Sequence, residues 1–258
     1  MSVPVFISSR ANPFLKDLKR LAEGSTAYRK QGLLWLEGDH LVRAALQRGQ
    51  RLNTLVLAES FAAQAPAAWL DSADATVVVA DSLWREFSGL ESAACVGAVL
   101  NVPAQLALLP DAPTVVLDRV QDAGNVGSIL RSAAAFGFTQ VLALKGTAAL
   151  WSPKVLRAGM GAHFGLHLLE SLDAPEVAAL RVPLLATSSH QGHELHLAPL
   201  PWPCAWVLGH EGQGVGPALM AQAQQWVRIA QPGGEESLNV AAAAAICLHA
   251  SGLQAARP

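Results

Sequence analysis

The chain has 258 residues, 52% of them hydrophobic and 15% charged, with a formal net charge of −2. This globular, rather apolar composition excludes a disordered polar chain. No run approaches the roughly 18 apolar residues of a membrane helix, and MSVPVFISSR lacks the basic-then-apolar pattern of a signal peptide. Cys95, Cys204 and Cys247 lie far apart and form no metal-like pair, so they are expected to be reduced thiols of a cytoplasmic protein.

The first hundred residues read as a small α/β domain. ANPFLKDLKRLAEG is expected to be helical, with Leu15, Leu18 and Leu21 at three-residue spacing and Gly24 ending it. LLWLEG is a short strand ending at Glu37, followed by a helix from Asp39 to Gly49. TLVLA and TVVVA are β-branched runs typical of strands, and DSLWREFS is a short helix after an Asp cap. From Arg10 to Arg51 there are nine Lys/Arg against four Asp/Glu, whereas from Leu52 to Asp118 Arg85 faces eight acids. A chain of nearly neutral charge can still grip a phosphate backbone through such a basic N-terminal arm. The proline-bearing stretch NVPAQLALLPDAP marks the linker, placing domains at 1–102 and 114–258 with 103–113 between them.

After Thr114 short strands and helices alternate. TVVLD, QVLAL, GLHLLE, VPLLATS, CAWVLG and WVRIA are strand-like, and helices are expected near 126–136, 153–160, 175–181, 217–224 and 237–250. Such alternation points to a mostly parallel sheet with helices on both faces.

Three polar, glycine-punctuated clusters in this half each follow a strand-like run and precede a helix-like one, as in a composite site at one edge of an α/β sheet. In DAGNVGSILRSAAAFGF, Asn125 is placed to cap a helix, and Arg131, six residues on, has the length to reach back toward the loop. In GHEGQGVG, Glu211 sits among glycines. A carboxylate there suits an arginine or a ribose hydroxyl better than a phosphate. The glycines come too late in the domain for a dinucleotide fingerprint, which disfavours a nicotinamide-dependent oxidoreductase. In QPGGEESLNV, Ser237 is expected to cap the last helix with Asn239 in its first turn, leaving Leu238 to face an apolar ligand edge. His190, His193 and His196 match no familiar metal spacing, and no metal is expected.

Together the clusters resemble the three signature motifs of the SpoU (SPOUT-class, TrmH-like) RNA 2′-O-ribose methyltransferases. Asn125, Gly127, Arg131, Phe136 and Gly137 match the first motif, and Gly209, Glu211 and Gly212 the second. Ile229, Pro232, Gly234, Ser237, Leu238 and Asn239 match the third. Ala123 stands where proline is frequent in that family. The N-terminal hundred residues are more loosely similar to a small RNA-binding domain related to certain ribosomal proteins. The resemblance implies a trefoil-knotted α/β catalytic domain and a homodimer that acts on RNA. Ribosomal RNA, 23S in particular, is favoured over tRNA. It implies S-adenosylmethionine (AdoMet) as methyl donor, contacted by Thr187, Gly209, Ile229, Pro232 and Leu238. The residues it implies for chemistry and positioning are Asn125, Arg131, Glu211, Ser237 and Asn239. The alternative is a non-catalytic RNA-binding assembly factor, against which the intact polar set argues.

Overall fold

The computed structural model describes residues 3–89, 94–188, 192–233 and 237–255. The chain forms two compact units, Met1–Ala104 with Trp151–Phe164, and Gln105–Leu150 with Gly165–Pro258. No helix among the described residues is long and apolar enough to cross a membrane.

The first unit contains β1 (Val5–Ile7), α1 (Pro13–Glu23), α2 (Ala27–Gln31), β2 (Leu33–Glu37), α3 (Asp39–Gln47) and β3 (Leu52–Ala58). It continues with α4 (Glu59–Ala62), α5 (Ala67–Asp71), β4 (Ala73–Val79), α6 (Asp81–Trp84) and β5 (Val96–Asn101). Its five-stranded sheet runs β1-β4-β3-β5-β2. α1 begins where the Asn12 side chain accepts the Phe14 N–H and Pro13 supplies a fixed φ, and it ends at Gly24. Its three predicted leucines are buried against Trp35, Val56, Val79, Phe87 and Val99. β1 and β5 are strands beyond those read from the sequence. β5 pairs antiparallel with both β2 and β3, closing the middle of the sheet.

The second unit starts with β6 (Thr114–Leu117), α7 (Ala123–Ala135) and β7 (Gln140–Leu144). The chain then gives α8 (Pro153–Gly159) to the first unit, a grouping that the single boundary at 103–113 did not anticipate. Within that unit, buried Glu37 accepts hydrogen bonds from the Ser88 hydroxyl and the Gly89 N–H, and the Arg157 guanidinium of α8 stands 4.0 Å from it. The second unit resumes with β8 (His167–Leu172), β9 (Leu184–Thr187), β10 (His193–Glu194) and β11 (Ala205–Leu208). It ends with α9 (Pro217–Gln222), β12 (Gln225–Arg228) and α10 (Val240–Ala255).

This sheet runs β10-β12-β9-β11-β6-β7-β8, and every neighbouring pair is parallel. Side chains alternate across it. Val116, Leu142 and Val207 face a core that includes Val177 and Leu219. Trp206 points the other way, and its indole N–H donates to Ser251 Oγ of α10 at 2.9 Å. In a parallel sheet the C-terminal ends of all strands share one edge. The loops after β6, β9, β11 and β12 therefore emerge side by side, and these are the loops that carry the signature residues.

Gly97 illustrates how tightly the first unit is packed. A Cβ there would lie 2.1 Å from the buried Trp35 ring and 2.7 Å from the Leu36 carbonyl oxygen. Gly97→Ala is expected to cost about 1–3 kcal/mol, the scale of overpacking. An unchanged urea midpoint would show instead that the Trp35 ring moves aside freely.

Candidate active site

The site is built where the loop 118–122 after β6 meets the loop 209–216 after β11. Each loop gives a carboxylate to the other's backbone. Glu211 accepts the N–H groups of Gln121 at 3.2 Å and Asp122 at 3.1 Å. Asp118, almost fully buried, accepts the Gly216 N–H at 2.6 Å. Arg119 completes the second clasp, donating from Nε to Asp118 Oδ1 and from Nη1 to Gln213 Oε1, each at 2.9 Å. To do so Arg119 adopts a left-handed backbone with φ 59°, a conformation that costs free energy and persists only where surrounding contacts fix it.

The loop 209–216 also closes on itself. His210 and Gly214 exchange backbone hydrogen bonds at 3.0 and 2.8 Å, and His210 Nδ1 accepts the N–H groups of Gly212 and Gln213. A Cβ on Gly209 would lie 2.2 Å from the Gly214 backbone, so glycine is required where the loop doubles back.

A line of side chains then runs from Glu211 to α10. Asn125 Nδ2 donates to Glu211 Oε1 at 3.2 Å, and Asn239 Nδ2 donates to Asn125 Oδ1 at 2.9 Å. Asn239 Oδ1 accepts the N–H groups of Ala241 and Ala242 at 2.9 and 3.2 Å. Both predicted caps are thereby corrected. Asn239, not Ser237, caps α10, because its side chain is the one that reaches the free N–H groups of the first turn. Asp122, not Asn125, caps α7, accepting the Asn125 N–H at 2.7 Å and freeing the Asn125 carboxamide to bridge Glu211 and Asn239.

Burial alone raises the pKa of Glu211, but hydrogen bonds from its own backbone, Asn125, Asp122 and Gln121 outweigh it and hold the carboxyl below the ordinary glutamate value. Because the folded value is the lower one, this contribution to stability is complete above the unfolded pKa and is lost as pH falls through the folded one.

Beside this network opens a cavity of about 640 Å³. Thr187, Gly209, Ile229 and Leu238 line it, as do Glu211, Ser237 and Asn239, whereas Pro232 is not among the lining residues. Its wall combines apolar side chains with glycine backbone, which suits a ligand having a flat apolar part and several polar edges. Gln231, which the sequence reading did not single out, also lines it and carries a buried side-chain oxygen without a donor among the described residues. The mixed wall of apolar side chains, polar side chains and glycine backbone fits a ligand such as AdoMet.

Arg131 is exposed on α7 and does not line this cavity. Six helical residues turn by roughly 600°, leaving it about 120° around the helix from Asn125. Within one chain, then, Arg131 does not join the Glu211–Asn125–Asn239 line. His193 pairs in β10, and His196 stands 3.6 Å from Glu194, which also binds Arg228. His190 and Gly234 lie outside the described residues. The residues missed by sequence reasoning are Asp118, Arg119, Gln213 and Gln231. The buried acid after TVVL was the one visible signal, since a charge closing an apolar strand needs a partner.

The sequence profile of the SpoU rRNA Methylase family matches residues 112–249, the span holding all three loops. The chain belongs to this family. It is 31% identical to the uncharacterized tRNA/rRNA methyltransferase slr1673 of Synechocystis, over 94% of this chain and 92% of the relative. It is 28% identical to the 23S rRNA (guanosine(2553)-2′-O)-methyltransferase RlmP of Bacillus subtilis, over 94% and 97%. The crystal structure of AdoMet-bound rRNA methyltransferase from Sinorhizobium meliloti shares its fold with a TM-score of 0.85, covering 96% of this chain and 97% of that one at 24% identity. This SpoU-family protein is thus an RNA methyltransferase with the family's mixed α/β fold and parallel sheet.

The geometry separates two jobs of Asn239. Asn239→Ala removes the cap and is expected to cost about 1 kcal/mol. Asn239→Asp keeps the capping oxygen and stability while losing the donor to Asn125. Equal destabilisation of both variants in urea unfolding would show that the link to Asn125, rather than the cap, carries the energy.

Proposed function

We propose that this methyltransferase acts on a ribose 2′-hydroxyl of RNA, with 23S ribosomal RNA as its first substrate, and that it takes the methyl from AdoMet held in the 640 Å³ cavity. The observation that carries this reading is the Glu211–Asn125–Asn239 line, whose two end residues, Glu211 and Asn239, line that cavity. The 2′-O specificity of the Bacillus relative, which aligns over nearly its whole length, supports the finer assignment. AdoMet supplies an electrophilic methyl group for in-line displacement. The chain's part is to hold the hydroxyl in line and accommodate its proton. Ser237 and the Asn239 rim orient the nucleotide, while Gly209, Ile229, Leu238 and Thr187 hold the donor. No step requires a metal. The basic residues between Arg10 and Arg51 supply phosphate contacts for the RNA. The trefoil threading implied by the family belongs to the same reading.

Arg131 aligns the attacking hydroxyl, acting through geometry and charge because a free guanidinium is a very poor base. Its position outside its own chain's cavity lining fits a site completed by a second copy. α10 offers the surface for such a dimer. Ala242, Ile246, His249 and Leu253 form an exposed stripe at helical spacing, with Ile246 and Leu253 41% and 51% exposed.

Incubation with labelled AdoMet and separate 23S rRNA and tRNA, followed by 2′-O-methyl mapping, tests the assignment. Label in tRNA alone, or on a base, would overturn it. Arg131→Ala is expected to lower kcat about 10²-fold with AdoMet affinity nearly unchanged, and near-normal turnover would remove Arg131 from the mechanism. Light scattering is expected to give a dimer at micromolar concentration and a monomer for Ile246→Asp. A monomeric wild type would sink the shared-site arrangement.

A further inference from the structure

Every residue from 209 to 215 lines the cavity, so the shape of this loop sets the shape of that wall. Gly209, Gly212 and Gly214 offer no side chain to fix its backbone. The side chains of Glu211 and Gln213 reach out to the facing loop, accepting from the N–H groups of Gln121 and Asp122 and from the Arg119 guanidinium. The His210 side chain turns back and joins the two arms of its own loop. Its Nδ1 accepts the N–H of Gly212 at 2.9 Å and that of Gln213 at 3.2 Å, while its backbone pairs with Gly214.

An imidazole can do this in one protonation state only. A ring nitrogen accepts through its lone pair, and a proton on Nδ1 would turn that acceptor into a third donor facing the other two. The two bonds therefore require the uncharged ring with its proton on Nε2. The charged groups nearby do not replace the acceptor. Glu211, the other ionisable side chain among the described lining residues, is committed to the facing loop and to Asn125. Its carboxyl is held below the ordinary glutamate value, so it stays ionised around neutrality. In the facing loop Asp118 and Arg119 pair with each other, and the Asp122 carboxylate caps α7.

We propose that His210 is a positioning residue for methyl transfer: its uncharged imidazole braces the loop 209–216 in the shape that receives the methyl donor, so that donor binding and protonation of this ring oppose each other. This rests on the assignment of the cavity to AdoMet. Imidazoles change charge between about pH 5 and 8. The affinity is complete on the alkaline side of that range and is lost as the ring takes up its proton. Asparagine is the diagnostic replacement. Its Oδ1 stands as many bonds from Cα as Nδ1 does, can accept the same N–H groups two and three residues on, and carries no titratable proton.

The test is calorimetric titration of the full-length protein with S-adenosylhomocysteine at about pH 8 and about pH 5.5, with folding at both checked by melting curves. Wild type is expected to bind about tenfold more weakly at the acidic end, the scale of one or two net hydrogen bonds. His210→Asn is expected to keep the alkaline wild-type affinity at both ends. His210→Ala is expected to bind about tenfold more weakly than wild type at the alkaline end, with no further loss in acid. A folded His210→Ala with unchanged affinity would show that the brace serves stability alone and would overturn the proposal. So would wild type with one affinity at both ends, or His210→Asn that weakens in acid as wild type does. Wild type that binds no S-adenosylhomocysteine at either end would overturn the AdoMet assignment itself, and the role of His210 with it.

Discussion

Two carboxylates exchanged between adjacent loops hold the functional half of this protein together. β6 and β11 lie side by side in a parallel sheet, so the loops that follow them leave the same edge with their backbone N–H groups unpaired. Asp118 satisfies one such group across the gap and Glu211 satisfies two in return. Ionised acceptors make stronger hydrogen bonds than neutral ones, and an unmet buried N–H is costly. The exchange therefore fixes loops that have few apolar side chains of their own. The close turn at Gly209, the strained backbone of Arg119 and the reach of Asn125 toward Asn239 all depend on the loops keeping this separation.

The same network couples the site to the packing of the last helix. Asn239 caps α10 with one end of its amide and bonds Asn125 with the other, while Ser251 in that helix receives the indole N–H of Trp206 from the centre of the sheet. The alanines at 241–245 contribute through small size, which lets α10 lie close to its neighbours. A helix that is apolar nearly all round is usually fully buried. α10 instead leaves Ile246 and Leu253 exposed, a surface suited to a second copy of the chain.

Much of this was legible in the sequence, and the remainder was not for identifiable reasons. The three-residue leucine spacing of α1 and the strand–helix alternation after Thr114 are periodic signals spread over many residues, so α1 and the parallel sheet followed from pattern alone. β1 is a three-residue edge strand with Val5 and Phe6 more than half exposed, which leaves no alternation to read. Cap identity turned on which of several adjacent polar side chains reaches a given N–H, a matter of ångströms that spacing does not encode. The grouping of residues 151–164 with the first unit rests on tertiary packing around Glu37, invisible in local sequence. Thr187, Gly209 and Ile229 line the cavity because each ends or directly follows a strand of the shared edge, and Leu238 lines it from just before α10, whereas Arg131 lies outside the lining, well around α7 from Asn125.

The order of strands bears on how the chain is made as well as on what it does. β11 hydrogen-bonds on one side to β6 and on the other to β9, both synthesised well before it. Until residue 208 has left the ribosome, the nascent second unit has one partial sheet, β6-β7-β8, with β6 as an open edge, while β9 waits for both of its partners because β12 follows β11 in the chain. Pairing across such long sequence separation is slow, and unpaired edges invite association with other chains. Acquisition of the sheet's central strand so late leaves the β6 edge without its partner through most of the unit's synthesis.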